Sequence, residues 1–117
     1  MAVLTPTIDA TRYSGVSGDR KRVIVDGTIA GTYASATASD GGALLTPAQV
    51  GLRGFSSVRI SPKFSADTIE EYPVSFGPST SSTAGHVIAL ADKADNLETA
   101  DTTAVTGVLF SADILGF

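Results

Sequence analysis

Few side chains in this sequence could do covalent chemistry, and the only imidazole belongs to His86. A serine nucleophile needs an imidazole beside it and commonly sits in a Gly-x-Ser-x-Gly turn, which this sequence lacks. His86 opens an apolar segment, a position typical of a half-buried strand residue or of an interface contact. Glu70 and Glu71 are adjacent, so as strand residues they would point to opposite faces and could not converge on one bond. We therefore expect no catalytic residue and no enzymatic activity.

The sequence also offers few residues that could bind a metal ion or a cofactor. With no cysteine and one histidine, the chain lacks the ligands that zinc prefers. The acidic segment 92–101 offers oxygen ligands that would suit calcium, but it lacks the glycine and the alternate spacing of an EF-hand loop. We interpret it as a solvated loop and leave an ion site there open; the residues concerned are Asp92, Asp95, Asn96, Glu98 and Asp101. The glycine-containing segments match no phosphate-binding loop, so no cofactor is expected.

The charge balance restricts the partners. Eight basic and twelve acidic residues give a net charge of -4, the wrong sign for binding nucleic acid over a broad face. The single basic run, Arg20-Lys21-Arg22, opens a predicted strand, so its side chains alternate between faces. A salt-bridging rim at a subunit contact is the favoured use of this run and of Arg53 and Arg59. No apolar stretch approaches the roughly 18 residues of a membrane span, so neither a nucleic acid nor a membrane is expected as partner.

The remaining pattern is one of short strands and turns. At 117 residues and 43% hydrophobic content the chain suits one small domain. Gly, Pro, Asp and Ser interrupt it every eight to twelve residues, and the segments between them are rich in β-formers. We predict an all-β fold, a small antiparallel β-sandwich or barrel with one short helical turn. Residues 1–17 are predicted as an extended N-terminal arm and residues 18–117 as a single β domain.

Local signals place individual elements. Thr46-Pro47-Ala48-Gln49 predicts one capped helical turn, closed by Gly51 in a left-handed conformation. Asp26-Gly27 indicates either a hairpin turn or a bulge within one long strand, and we favour the bulge. Pro73 predicts an edge position or a bulge for the strand near residues 69–76. The apolar C-terminus, 111–117, is expected to dock on the domain.

Three sequence elements carry a resemblance to a known family. They are Gly18-Asp19-Arg20, then Gly27-Thr28-Ile29, then the segment from Gly42 to Leu52 with its Leu-Thr-Pro turn. In this order and spacing they resemble small structural proteins of tailed bacteriophages that decorate or cement the capsid. The resemblance covers residues 18–62 and returns in the closing strand from Thr103. Between these regions the chain departs from the family pattern, with a Ser and Thr loop in place of a charged hairpin.

The resemblance implies a non-enzymatic virion protein, made in the host cytoplasm, that binds the outer surface of the capsid and cements adjacent major capsid protein subunits. The thin, alanine-rich core and the absence of cysteine also fit a homo-oligomer, with a trimer favoured over a dimer. The residues expected at capsid or inter-subunit contacts are Val3, Leu4 and Ile8 of the arm, together with Arg20, Arg22 and Arg53. The alternatives are a tail, neck or head-fibre component, or a small glycan-binding adhesion module that would use Tyr13, Tyr33 or Tyr72 as a stacking platform.

Overall fold

The described part of the fold consists of strands and one short helical turn. The computed structural model describes residues 3–36, 41–63, 71–78, 84–92, 97–100 and 103–117. Within these ranges lie a 3₁₀ turn at Pro47–Val50 and seven strands: β1 (Thr7–Ser17), β2 (Arg20–Thr32), β3 (Ala43–Leu45), β4 (Phe55–Pro62), β5 (Glu71–Pro78), β6 (His86–Asp92) and β7 (Ala104–Gly116). The strands form two antiparallel sheets, one of order β1-β2-β7-β4 and one of order β3-β6-β5. The all-β prediction is confirmed.

The core is built from the facing sides of the two sheets. Alternate residues of β2 and β7 are buried on one face, as the period of two in a strand requires. The three-stranded sheet adds apolar residues of β3 and β6 to the same cluster. Gly27 lies on this face, where an added Cβ would stand 2.5 Å from Cζ of Phe110. The missing side chain at Gly27 therefore makes room for the Phe110 ring in the core.

Residues 7–17 are a correction to the predicted arm. They form β1, which pairs along its length with β2 through a hairpin whose turn is Gly18-Asp19. Gly18 has a φ of 65°, a left-handed conformation that glycine adopts without a steric penalty. Because β1 exchanges backbone hydrogen bonds with β2, it belongs to the four-stranded sheet and does not extend away from the domain.

The residues before β1 are also bound to the domain. Leu4 forms a parallel bridge with Ala43, in which the Leu4 N–H donates to the Gly42 carbonyl at 3.0 Å. The Leu44 N–H in turn donates to the Leu4 carbonyl at 2.9 Å. The chain therefore passes from the β3 edge of one sheet to the β1 edge of the other, and it joins the two sheets on that side.

The predicted helical turn is confirmed. The Thr46 N–H donates to Oε1 of Gln49 at 3.0 Å, which is the reach-back contact of a capping box. Gly51 closes the turn with a φ of 76°, as expected. Nε2 of Gln49 donates to the Pro6 carbonyl at 2.8 Å. The same side chain thus caps the turn and holds the segment that leads into β1.

Three further expectations can be compared with the structure. Asp26-Gly27 lies inside the continuous strand β2, so the hairpin alternative is wrong; the favoured bulge is also misplaced, because the extra residue is Asp9 on the opposing strand. Pro73 lies in β5, an edge strand, as predicted. The C-terminus is docked, since β7 is a central strand and the Phe117 carbonyl accepts from the Arg53 N–H at 2.7 Å. The expected surface loops fall partly on residues 37–40 and 79–83, outside the described residues.

Candidate functional site

One end of the four-stranded sheet gathers exposed basic and apolar side chains. At this end Lys21 and Phe55 both pair with Gly116, which sets the β1–β2 turn and the residues before β4 on either side of the C-terminus. Backbone hydrogen bonds from Arg53 and Gly54 to Phe117 extend the pairing beyond the strands. We name this surface the hairpin end. It comprises Tyr13, Val16, Arg20, Lys21, Arg22, Arg53 and Phe117.

The hairpin end is positively charged in an acidic chain. It carries four basic residues, half of the eight in the sequence, accompanied by two acidic residues, Asp19 and Asp113. The local balance of four against two is opposite in sign to the chain's net charge of -4. Charges arranged in this way favour an oppositely charged surface on a partner.

Apolar side chains are also exposed at this end, on both faces of the sheet, since Tyr13 shares the face of Arg22 and Val16 shares the opposite face with Lys21. Val16 is 71% exposed, Tyr13 is 50% exposed and Phe117 is 38% exposed. Isolated exposed apolar residues are common on soluble proteins, but apolar residues grouped within a polar rim are typical of protein-binding surfaces. The hairpin end therefore combines the two components of a protein interface.

Arg22 is the most firmly positioned cation at this end. Its Nε donates to Oδ1 of Asp113 at 3.0 Å, and its terminal nitrogen donates to Oδ2 at 2.7 Å. The guanidinium carbon also lies 6.0 Å from the centroid of the Tyr13 ring, within the range of a cation–π contact. The hydrogen bond to Asp113 raises the pKa of Arg22, and the same bond lowers the pKa of Asp113. The pair is thus charged throughout the neutral range.

A second charged group lies further along the outer face of the same sheet. The Asp26 carboxylate, only 8% exposed, accepts from Lys63 at 3.1 Å and from Arg12 at 3.4 Å. Burial by itself raises the pKa of Asp26, but the hydrogen bonds and charges of Lys63 and Arg12 outweigh burial and place the pKa below its usual value. These contacts connect β1, β2 and the residue after β4, so we assign the group a structural role.

The residues predicted from sequence fall into two separate groups. Arg20, Arg22 and Arg53 come together at the hairpin end. The arm residues do not join them, because Ile8 pairs with Gly27 toward the other end of β2 and packs on the core. Leu4 also packs on the core, whereas Val3 keeps 40% of its surface exposed. Leu4 and Ile8 therefore contact their own domain, contrary to the expectation that the arm is free to lie on a neighbour.

Arg22 and Arg59 also differ from the expected pairing with a neighbouring subunit. Arg22 bonds Asp113 of its own chain, and Arg59 lies directly opposite Asp113 across β4 and β7. The charge of Arg59 adds to the lowering of the Asp113 pKa. Arg20 and Arg53 are exposed.

His86 is buried at the start of β6, where the sequence had favoured a half-buried strand residue or an interface contact. Its Nε2 lies 2.6 Å from Oγ of Ser75 on β5. Burial lowers the pKa of His86, so the ring is neutral at neutral pH. Within the described residues no carboxylate hydrogen-bonds this pair, and we interpret it as a polar contact between two strands.

Glu98, one of the possible calcium ligands, is engaged inside the protein. Its carboxylate accepts from the Tyr33 hydroxyl at 2.6 Å, the Ser35 hydroxyl at 2.7 Å and the Ala36 N–H at 2.8 Å. Burial, with the Glu98 hydrogen bond, raises the pKa of Tyr33 above its ordinary value. In the described part of the chain no group of three or more potential ligands could hold a metal. Asp95, Asn96 and Asp101 lie outside the described residues.

Sequence reasoning missed the contributions of β1 and β7 to the hairpin end. Tyr13, Val16 and Asp113 were not linked to the arginines. The Gly18-Asp19 dipeptide between two β-compatible segments is a hairpin signal that could have placed Tyr13 and Val16 there. The pairing of Arg22 with Asp113, 91 residues apart, has no comparable local signal.

Comparison with known proteins leaves the family open. No protein-family model matches the chain, and no curated protein or solved structure matches it either. Over the residues that the structure describes, no helix has the length and apolar character needed to cross a membrane.

Proposed function

We propose that this chain is a non-enzymatic virion structural protein that binds the outer surface of a tailed-phage capsid and cements adjacent major capsid protein subunits. The proposal begins from the resemblance of residues 18–62 to small head proteins of such phages. The observation that carries it is the hairpin end, where basic and apolar side chains lie together at the surface of a chain whose net charge is negative. A protein that acts by binding requires a surface of this kind.

The proposed protein acts as a homo-oligomer, as a trimer in preference to a dimer. A cement protein holds subunits together by adding contacts that exist in the assembled shell and not between separated subunits. Several linked copies would strengthen this effect, because the second contact becomes intramolecular once the first has formed. Sedimentation equilibrium of the purified protein measures the number of copies.

The principal test is co-sedimentation with DNA-free heads of the phage that encodes this chain. Expanded heads are expected to bind the protein saturably, and unexpanded precursor shells are expected not to bind it. Lack of binding to both shells would contradict the proposal. Binding to isolated tails, or labelling at a single vertex, would instead support a tail, neck or head-fibre component.

A matched pair of variants ties this binding to the hairpin end. Val16→Asp places a charge at the most exposed apolar position of that end and is expected to weaken head binding. Val74→Asp makes the same change at a 40% exposed position on β5, in the other sheet, and should bind as the parent does. Equal effects of the two variants would contradict the assignment of binding to this end.

The burial and packing of the tyrosines give the glycan-binding alternative less support than the hairpin end gives to capsid binding. Tyr33 is fully buried, with its hydroxyl bound to Glu98, and therefore has no face available for stacking on a sugar. Tyr72 on β5 is partly buried, and Tyr13, the half-exposed tyrosine, already packs near Arg22. A glycan array on the purified protein tests this alternative directly.

A further inference from the structure

From the geometry of the hairpin end we infer that it docks an acidic segment of the capsid protein, and that Arg22, positioned by Asp113, receives a carboxylate of that segment. The inference rests on the proposed function and adds to it the chemistry of the partner and the residue that recognises it. It is drawn from the Arg22–Asp113 geometry, from the half-exposed Tyr13 ring beside Arg22, and from the local surplus of positive charge.

Arg22 is held before any partner arrives. Its two hydrogen bonds to Asp113 fix the plane of the guanidinium, and the Tyr13 ring lies beside it. A side chain that is already ordered loses little conformational entropy on binding, which lowers the cost of the complex. Arg22 nevertheless remains about half exposed, at 53% of its side-chain surface, so a partner can reach it.

The remaining donors of Arg22 define the partner's chemistry. Asp113 uses two of the five N–H groups of the guanidinium, and the other three remain for a partner. Planar N–H donors in a fixed fork match the two oxygens of a carboxylate. Arg20, Lys21 and Arg53 are exposed at the same end of the sheet, Lys21 on the opposite face, and they attract negative charge over a wider distance.

A protein partner explains the site better than a polyanion does. The hairpin end has a surplus of only two positive charges, whereas binding along nucleic acid commonly uses many phosphate contacts. Val16 and Phe117 would also remain exposed against a phosphate backbone. An acidic polypeptide segment with apolar residues would satisfy both kinds of group at once.

The substitution Asp113→Asn distinguishes positioning of Arg22 by Asp113 from simple electrostatic attraction between the hairpin end and an acidic partner. Removal of the carboxylate makes the hairpin end more positive, so attraction alone predicts tighter binding to an acidic partner. If Asp113 acts by positioning Arg22, its removal frees the guanidinium and weakens binding, and we expect an increase in Kd of about tenfold. Arg22→Lys keeps the charge but removes the planar fork, and it is expected to have an effect of similar size.

The readout is the dissociation constant for expanded heads, measured by co-sedimentation at low and at physiological salt. Arg12→Lys is the matched control, because Arg12 is also an exposed arginine paired with a carboxylate, Asp26 at 3.4 Å, but lies outside the hairpin end; its Kd should change less than twofold. Urea denaturation of each variant confirms that it is folded before binding is compared. Higher salt should weaken binding of the parent protein.

The outcomes separate the inference from the proposed function. If the parent protein binds neither type of head, the proposed function fails. If the parent binds and Asp113→Asn binds as tightly or more tightly, the positioning role is overturned although the function stands. If both Arg22→Lys and Asp113→Asn leave head binding unchanged and instead dissociate the oligomer in sedimentation equilibrium, the hairpin end is a contact between copies. The inference that it docks the capsid protein is then overturned.

Discussion

The substitution Tyr33→Phe tests the buried hydrogen bonds of the Tyr33 hydroxyl, which lie at the end of β2 away from the hairpin end. Tyr33 is fully buried, donates to Glu98 at 2.6 Å and accepts from the Leu90 N–H at 3.1 Å. Loss of the hydroxyl removes a hydrogen bond to a charged group, which contributes about 1.5–3 kcal/mol. It also leaves the buried Leu90 N–H without its partner, at a cost of about 1–3 kcal/mol. Because such effects are not fully additive, we expect a loss of about 3 kcal/mol in the free energy of unfolding.

The assay is urea denaturation followed by far-UV circular dichroism, since the chain has no tryptophan to report unfolding. The loss is large against the roughly 5–15 kcal/mol that stabilise a typical domain. Tyr13→Phe is the matched control, because that tyrosine is half exposed, and it should change stability by less than about 0.5 kcal/mol. Unequal denaturant slopes would show that the variants do not unfold to comparable states.

A double-mutant cycle with Glu98→Gln assigns the effect to the contact. Tyr33→Phe and Glu98→Gln each weaken the same hydrogen bond, so their combined loss should be smaller than the sum of the two by about 1 kcal/mol or more. The reasoning is refuted if Tyr33→Phe is no more destabilising than Tyr13→Phe. It is also refuted if the two changes at the contact are simply additive.

The other predictions concern packing and pH. Gly27→Ala should lower stability by about 1–3 kcal/mol in thermal unfolding, because its Cβ would meet Phe110 at 2.5 Å and the Thr7 carbonyl at 2.8 Å; an unchanged midpoint would contradict this packing. The pKa of Asp26 is lowered in the fold, so its contribution is present above its unfolded pKa of about 3.9 and is lost as pH falls through the lower folded value. The urea midpoints of the parent and Asp26→Asn should therefore converge as pH drops below about 5. If the two curves of midpoint against pH stayed parallel, the lowered pKa of Asp26 would be contradicted. The pKa of His86 is lowered by burial, so stability should fall as pH drops below about 6.5, the unfolded value, until the folded pKa is reached. His86→Gln should remove that slope, and an NMR titration that placed the pKa of His86 at or above the unfolded value would overturn the prediction.

Local signals predicted local structure well. The 3₁₀ turn could be predicted from the sequence because the residues that stabilise it, Thr46, Gln49 and Gly51, lie within six residues of one another. Strand β1 was not, since its few apolar residues, Ile8, Tyr13 and Val16, do not follow one alternating pattern, and Asp26-Gly27 offered a second hairpin signal beside the Gly18-Asp19 turn. Two β1 register shifts further disturb the alternation of side chains that would have indicated a strand.

The long-range contacts that define the candidate site could not be predicted. Arg22 and Asp113 are 91 residues apart, and they meet because β7 lies between β2 and β4. Strand order of this kind depends on which faces pack best over the whole domain, and a single sequence does not display that choice. The location of Arg20 and Arg53 at the same end of the sheet follows from the same strand order.

The β1 and β3 edges, one from each sheet, favour binding through side chains over binding by strand addition. An added strand needs a regular edge, and β1 has register shifts at Asp9 and Arg12 that interrupt its hydrogen-bonding pattern. Both shifted residues are held across the sheet face, Asp9 by the Thr28 hydroxyl at 2.5 Å and Arg12 by Asp26. On the other sheet, the backbone of Leu4 already occupies the edge of β3. Because these edges are irregular or covered, a partner gains more from the fixed donors and apolar surface of the hairpin end than from backbone pairing.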